Sequence, residues 1–380
     1  MISKRRVYYV SGFDPRGASF YHRLFREESR KHARLTGADI TTQKRQRDSA
    51  IVNSWQIKAD WGNDSITCDY RFLCWDDLIR AHWAPSLPHL IARAIPMYGW
   101  HLRHGLFKKF RAAGRGPYLS SILPMLYALT CLFISAAAVV VVAWMAQSLL
   151  GLWPVTVVLA ACAAVALLQQ AKKRGEQLNV WWILQTYMFL ATWGRKPIPE
   201  LNERAKAFAA LIEQEQRADP VEEIVLVGHC VGSIVAVEIV SELYKLGSQL
   251  PKQQLTLVTL GQCIPYVSYA HGAHHFRRAL SNIACTADTH WLDMGARADP
   301  LCFQQINPSE AEGIPLKPPG QPLKTTVRPY LMYGAAAYNA LKKNKLRLHF
   351  QYLMSSDLLT AYDYFRLTTG PEPVREQHHD

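Results

Sequence analysis

Residues 119–171 contain no Asp, Glu, Lys or Arg, a charge-free run of 53 residues in a chain of 380. That is too long for a single core helix of a water-soluble domain. It fits two membrane spans, over residues 121–145 and 152–168, with residues 147–154 supplying the turn between them. Arg103, Lys108, Lys109, Arg111 and Arg115 precede the run, and Lys172, Lys173 and Arg174 follow it. Basic flanks around an uncharged connection predict that both flanks lie on the cytoplasmic side. We therefore expect an integral membrane protein, of a bacterial inner membrane, with its remaining domain in the cytoplasm. The formal net charge of +13 is concentrated in the first 120 residues and near the run. A basic collar facing anionic lipid accounts for it without nucleic acid as a partner.

The segments beside the run are also apolar but carry charge. In residues 86–118, Leu90, Ile91, Ile95, Met97, Tyr98, Trp100, Leu106 and Phe110 alternate with Arg93, Arg103, Lys108 and Lys109. This predicts amphipathic helices at a membrane surface or over a site. Residues 172–200 hold a second aromatic stretch, including Trp181, Trp182, Tyr187, Phe189 and Trp193. It is short for a span and predicts an interfacial helix. A third crossing there would move the second half of the chain to the other side of the membrane.

Outside these segments the chain has the alternation expected of a mixed α/β domain. Residues 224–233 read Ile-Val-Leu-Val-Gly-His-Cys-Val-Gly-Ser, and apolar residues at helical spacing follow. A strand, a sharp turn and a helix with glycine on either side of a central residue form a nucleophile elbow. Gly228 and Gly232 let strand and helix approach closely, and Cys230 stands at the tip. A helix amino terminus beneath Cys230 favours its thiolate. A buried, inert cysteine in an ordinary connection would leave both glycines unexplained.

The first strand is expected over residues 6–11, ending in Gly12-Phe13-Asp14-Pro15-Arg16-Gly17. In an architecture with an elbow, that turn supplies a second oxyanion donor, here the backbone N–H of Phe13. Arg16 suits either an anionic head group or an exposed salt bridge. Residues 32–60 are polar and basic, and predict a loop or weak helix. Residues 67–75 predict another strand. Asp76 and Asp77 after it are read as caps of the next helix, not as metal ligands.

In the second half, a charged amphipathic helix is expected over residues 201–218, a helix over 231–246, a strand over 254–260 and an extended segment over 284–294. Asp299 follows in a turn ahead of Pro300, at a strand's carboxyl end, where α/β catalytic groups belong. Residues 313–322 read as a loop, residues 338–345 as a helix, and His349 comes late in aromatic surroundings. The order Cys230, Asp299, His349 is that of nucleophile, acid and histidine. Competing residues are His229, His271, His274, His275 and His290 for the base, and Asp288 and Asp293 for the acid. The eight cysteines form no C-x-x-C pair, which implies a reduced, cytosol-facing protein without a zinc site. No metal or cofactor is expected.

Val-Gly-His-Cys-Val-Gly-Ser, Ala-Asp-Pro-Leu around Asp299 and His-Phe-Gln-Tyr around His349 together resemble the α/β-hydrolase superfamily, in particular its lipase-like and esterase-like members. The resemblance covers about residues 5–80 and 200–365, with the apolar hairpin as an insertion. It implies an α/β-hydrolase sheet with flanking helices, divided by sequence into residues 1–85 and 201–370, with a polar tail at 371–380. It implies a Cys230–His349–Asp299 triad, with an oxyanion hole made by the N–H groups of Val231 and Phe13. The elbow of that superfamily usually holds serine. Cysteine elbows are similar to those of dienelactone hydrolases and polyhydroxyalkanoate synthases, the latter being acyltransferases.

The expected function is cleavage or transfer of acyl groups from lipid esters or thioesters through an acyl-cysteine, with the lipid bilayer and an acyl-lipid or acyl-thioester as partners. A non-catalytic membrane scaffold on the same fold is the other class, because a fold does not dictate a function.

Overall fold

The structure is a computed structural model and describes residues 1–284, 289–309 and 322–377. The chain forms two compact units. The first comprises residues 1–83, 108–117 and 190–380, and the second residues 84–107 and 118–189.

Among the described residues, the first unit is built on a nine-stranded sheet. In chain order its strands are β1 (Lys4–Val10), β2 (Asp39–Thr42), β3 (Gln46–Arg47), β4 (Val52–Trp61), β5 (Asp64–Leu73), β6 (Glu223–His229), β7 (Leu255–Leu260), β8 (His290–Gly295) and β9 (Leu323–Thr326). Their spatial order is β2-β4-β5-β1-β6-β7-β8-β9, with β3 beside β4. From β5 to β9 every pairing is parallel, whereas β2, β3 and β5 each run antiparallel to β4. All residues of β6 and β7 are buried, as expected of central parallel strands covered on both faces. The sheet is therefore a mixed α/β sheet with flanking helices.

Residues 39–61 depart from the loop or weak helix expected over residues 32–60. They form the antiparallel edge, β2 to β4, and the helix Gly17–Thr36 precedes them. The start of β4, from Val52 to Trp55, is buried on both faces, but beyond it only one face is covered, by Ile57 and Ala59, with Ile40 buried on β2. The outward positions hold the charge and polarity that discourage edge-to-edge pairing, and these masked the strand signal.

The chain leaves β1 for β5 on one side and later returns to β6 on the other, so the direction of winding reverses at the β1–β6 pair. In open parallel sheets the crevice at the strands' carboxyl ends, at such a reversal, is where ligands bind. The segments after β1, β6, β7 and β8 all emerge at that end. The helix after β6, Gly232–Lys245, buries 11 of its 14 residues and packs between the helices Pro199–Ala218 and His274–Ala284.

At the opposite end, Arg5 is fully buried and pairs with Glu223 at 2.6 Å. Its guanidinium also donates to the carbonyls of Leu367, Gly370 and Glu372, and the Val374 N–H donates to Glu223 at 2.7 Å. Residues 371–377 are thus tied to the sheet and do not form the polar tail expected there. The hydrogen-bonded charge pair makes the attachment, since removing either partner would leave a buried charge alone.

The second unit is helical. It contains the helix Leu87–Arg103, most of Arg115–Leu150, all of Trp153–Gln177 and the first part of Val180–Arg195. The chain reverses at Gly151, with φ +65°, and Leu152, a tighter turn than residues 147–154. The two helices flanking that turn have 36 and 25 residues. At 1.5 Å per residue they are roughly 54 and 38 Å long, beyond the ~30 Å hydrocarbon core of a bilayer. Both are long and apolar enough to cross a membrane. Their large apolar side chains, among them Leu129, Phe133, Val140, Trp144, Val157 and Val165, stand exposed.

Inside this unit, the Tyr127 hydroxyl donates to the Ala171 carbonyl at 2.9 Å, and the Trp181 indole donates to Lys172 O at 2.9 Å. In the helix Val180–Arg195, Leu184, Tyr187–Ala191 and Trp193 are buried in protein. Trp181 and Trp182, near its start, are half-buried.

Candidate active site

Cys230 follows the last residue of β6 with φ +55°, a left-handed conformation that is uncommon for a residue with a side chain. Packing holds it there. A Cβ on Gly228 would lie 2.6 Å from the Gly232 carbonyl oxygen, and one on Gly232 would lie 2.2 Å from Val10 O. Neither position accepts alanine without moving backbone. The Cys230 N–H donates to Leu260 O at 3.0 Å, so the turn is tied to the end of β7. The half-buried Cys230 side chain is thereby aimed at the carboxyl-end crevice.

The segment after β1 passes directly over this turn. A Cβ on Gly12 would lie 3.0 Å from Cys230 Cβ. Phe13 is the central residue of a tight bend closed by Asp14 N–H to Gly12 O at 2.8 Å, and its ring stacks on Trp83 at 5.6 Å. Arg16 makes the salt bridge considered for it, forming a two-pronged pair with the buried Asp14 at 2.6–2.9 Å, and its guanidinium lies over Phe20.

His349 ends the short helix Lys345–His349, which is capped by Asn344 Oδ1 accepting the Arg347 N–H at 2.9 Å. His349 and Asp299 are both buried, and His349 Nδ1 donates to Asp299 Oδ2 at 2.6 Å. That bond leaves Nε2 for a second partner. Nε2 makes no hydrogen bond of ordinary geometry, and the imidazole and the Cys230 thiol influence each other's ionisation. The Asp299 carboxylate is fully used. Oδ1 accepts the Leu301 N–H at 2.9 Å, and Oδ2 accepts the Tyr352 hydroxyl at 3.1 Å as well as the imidazole.

These contacts set the charges. The Cys230 thiol is lowered to about 5, first by the neighbouring Cys263 thiol, against the opposing effect of burial, and then by His349 and the Val231 N–H. Burial works against charge on His349, but Asp299 and Cys230 outweigh it and raise the imidazole well above its ordinary range. Burial likewise opposes charge on Asp299, and His349 reverses this and holds the carboxyl low. These directions favour a thiolate–imidazolium pair backed by a carboxylate.

The competing residues lie elsewhere or have other tasks. His229 Nε2 donates to the His349 carbonyl at 3.0 Å, and burial lowers its imidazole to about 3, so it is neutral and braces the backbone of His349. Its ring lies 4.8 Å from that of His349, tilted by 31°. His274 and His275 lie on the helix His274–Ala284, and His271 just ahead of it. His290 opens β8 at the end of the sheet away from the elbow. Asp293 accepts the Thr259 hydroxyl at 2.7 Å inside the sheet, and burial raises it to about 7. Asp288 lies outside the described residues, as does nearly all of the loop expected over residues 313–322.

Asp76 and Asp77 occupy the first turn of their helix without capping it by side chain, and pair with Arg80 and Arg204. Among the described residues no cluster of His, Cys, Asp or Glu has the arrangement of a metal site.

Two members of the site escaped the sequence reading. Tyr352 bonds Asp299, and no spacing rule reaches it. Cys263 sits two residues after Gly261 at the end of the strand beside the elbow, a position at which parallel sheets gather functional groups. No protein-family model, curated protein or solved structure matches the chain, so the reading of the site rests on its own geometry.

Proposed function

We propose that the protein is a membrane-anchored enzyme of α/β-hydrolase type that cleaves or transfers acyl groups of lipid esters or thioesters through Cys230. The observation that carries this reading is the 2.6 Å bond from His349 Nδ1 to Asp299 Oδ2, together with the influence of that imidazole on the Cys230 thiol at the tip of a strained elbow. The tight bend at Phe13 and the reversal of strand order at β1–β6 support it further.

In this mechanism the Cys230 thiolate attacks the carbonyl carbon. The tetrahedral oxyanion is held by the N–H groups of Val231 and Phe13. The Val231 N–H is among the groups that lower the Cys230 thiol, which supports this assignment. The His349 imidazolium gives its proton to the departing alkoxide or thiolate, leaving an acyl-cysteine and a neutral imidazole. His349 then takes a proton from water or from an acceptor hydroxyl or thiol, whose attack releases the acyl group and restores the ion pair. Asp299 stays ionised throughout and fixes the imidazole's tautomer.

The two exposed apolar helices and their basic flanks favour a lipid-soluble substrate and a cytoplasmic active site. Pre-steady-state turnover of activated acyl esters and acyl thioesters of increasing chain length, with detergent-solubilised protein, tests the proposal. A burst of one leaving group per Cys230, lost in Cys230→Ala, is expected. Turnover without a burst that survives Cys230→Ala contradicts it.

A further inference from the structure

The site contains a second thiol that acyl transfer does not require. Cys263 is buried, three residues beyond Leu260, whose carbonyl receives the Cys230 N–H. The register pairs His229 with Leu260, which sets the segments carrying the two cysteines side by side. The residues on either side of Cys263 are hydrogen-bonded. Gly261 N–H donates to Met294 O at 2.8 Å, Gln262 Nε2 to Phe303 O at 3.0 Å, and Ile264 N–H to Gln262 Oε1 at 2.9 Å. Each thiol is a principal influence on the other's ionisation. Cys302, the next sulfur, is engaged at 3.5–3.7 Å with Ala296 O, Asp299 O and the Tyr352 hydroxyl.

We propose that Cys230 and Cys263 close a reversible disulfide when the site meets hydrogen peroxide, blocking the nucleophile and sparing it from irreversible oxidation. First, the Cys230 thiolate attacks one peroxide oxygen and the O–O bond breaks. Cys230 becomes a sulfenic acid, and the departing hydroxide takes the His349 proton to become water. Next, neutral His349 accepts the Cys263 proton, and the Cys263 sulfur attacks Cys230. The S–O bond breaks, the S–S bond forms, and hydroxide leaves as a second water with that proton. Two thiols lose two electrons, and one peroxide becomes two waters. In the resting site burial and the Cys230 charge hold the Cys263 thiol up. Oxidation of Cys230 removes that charge, so Cys263 becomes a better attacking group only after Cys230 has reacted. A dithiol reductant reverses the bond.

The inference rests on Cys230 as the reactive thiolate of the proposed site, but its readout needs no acyl substrate. Full-length protein in detergent is treated with hydrogen peroxide, its free thiols are alkylated, and unreduced peptides are mapped by mass spectrometry. A Cys230–Cys263 linked peptide is expected in wild type and in Cys302→Ala. Dithiothreitol should restore Cys230 alkylation to the untreated level. In Cys263→Ala and Cys263→Ser, Cys230 should pass to sulfinic acid and stay unreactive after reduction.

Sulfinic Cys230 in wild type, a link to Cys302 instead, or equal recovery in the Cys263 variants overturns the inference. The wild-type mapping decides even if a variant fails to fold. An acyl probe run in parallel separates the two claims. Protein that forms the disulfide but takes no acyl group overturns the acyl reading alone. Protein that is acylated but forms no disulfide overturns this inference alone.

Discussion

The Tyr352 hydroxyl donates to Asp299 Oδ2 at 3.1 Å while accepting the Ala296 N–H at 2.9 Å, so one phenol ties the carboxylate to the end of β8. The same oxygen of Asp299 receives the His349 imidazole. Gly261 makes room for the ring, since a Cβ there would lie 2.6 Å from Tyr352 Cε2. Tyr352→Phe keeps the ring and deletes the donor. A hydrogen bond to a charged group contributes about 1.5–3 kcal/mol, so acylation should slow by about ten- to hundred-fold. Stopped-flow acylation beside an unchanged circular dichroism spectrum would check this; a wild-type rate would remove Tyr352 from the account.

Asp299 and Asp293 give opposite expectations. Asp299→Asn and His349→Ala should each cost ~10³-fold or more in turnover, without adding in the double variant, because the groups act as a unit. Asp293→Asn should leave turnover near wild type, since that carboxyl faces Thr259 within the sheet. Steady-state rates of the three variants decide it. A dead Asp293→Asn beside an active Asp299→Asn would exchange their roles.

The ionisation of Cys230 predicts a pH profile. Its thiol is lowered to about 5, so thiolate predominates above that pH and thiol below it. Alkylation should be nearly constant from pH 8 down to about 6 and fall about tenfold per unit below about 5. Removing the Cys263 thiol or the His349 imidazole removes a lowering influence, so Cys263→Ala and His349→Ala should move the midpoint upward. Iodoacetamide rates across pH measure it. A wild-type midpoint near the ordinary thiol value of ~8.5 would contradict the ion pair.

Much of the site was legible because its constraints are local. Gly228 and Gly232 bracket Cys230 at a spacing that only a tight strand-to-helix turn requires, and Asp299 and His349 follow in the expected order. Asp299 was separable from Asp293 only in three dimensions, since both stand near the end of β8 and differ in whether the chain turns them toward the crevice or into the sheet. The edge strands between residues 39 and 61 were hidden by their own charged outward positions. Arg5 and Glu223 are of residue types usually exposed, yet they are buried and anchor residues 371–377, an attachment that depends on contacts more than 140 residues apart in sequence. Tyr352 and Cys263 acquire meaning only from what lies opposite them.

The apolar hairpin predicts membrane attachment and a topology. Detergent-free lysis should leave the protein in the membrane fraction. In a background lacking the other cysteines, single-cysteine probes at Ser3 and Gln377 should react only after permeabilisation. A probe at Ser148, beside the Gly151 turn, should react in intact cells or spheroplasts. Opposite sides for Ser3 and Gln377 would make the helix Val180–Arg195 a third crossing. A soluble protein would remove the lipid-substrate proposal.

The central claim is that Cys230 carries the acyl group, and trapping that intermediate tests it most directly. Protein is mixed with an activated long-chain acyl ester, quenched in acid within one turnover, and digested for mass spectrometry without a reducing or nucleophilic wash. The account predicts a single acyl thioester on Cys230, absent in Cys230→Ala and formed at least about 10³-fold more slowly in His349→Ala. An acyl group on another residue, or none on Cys230 while product accumulates, would contradict it.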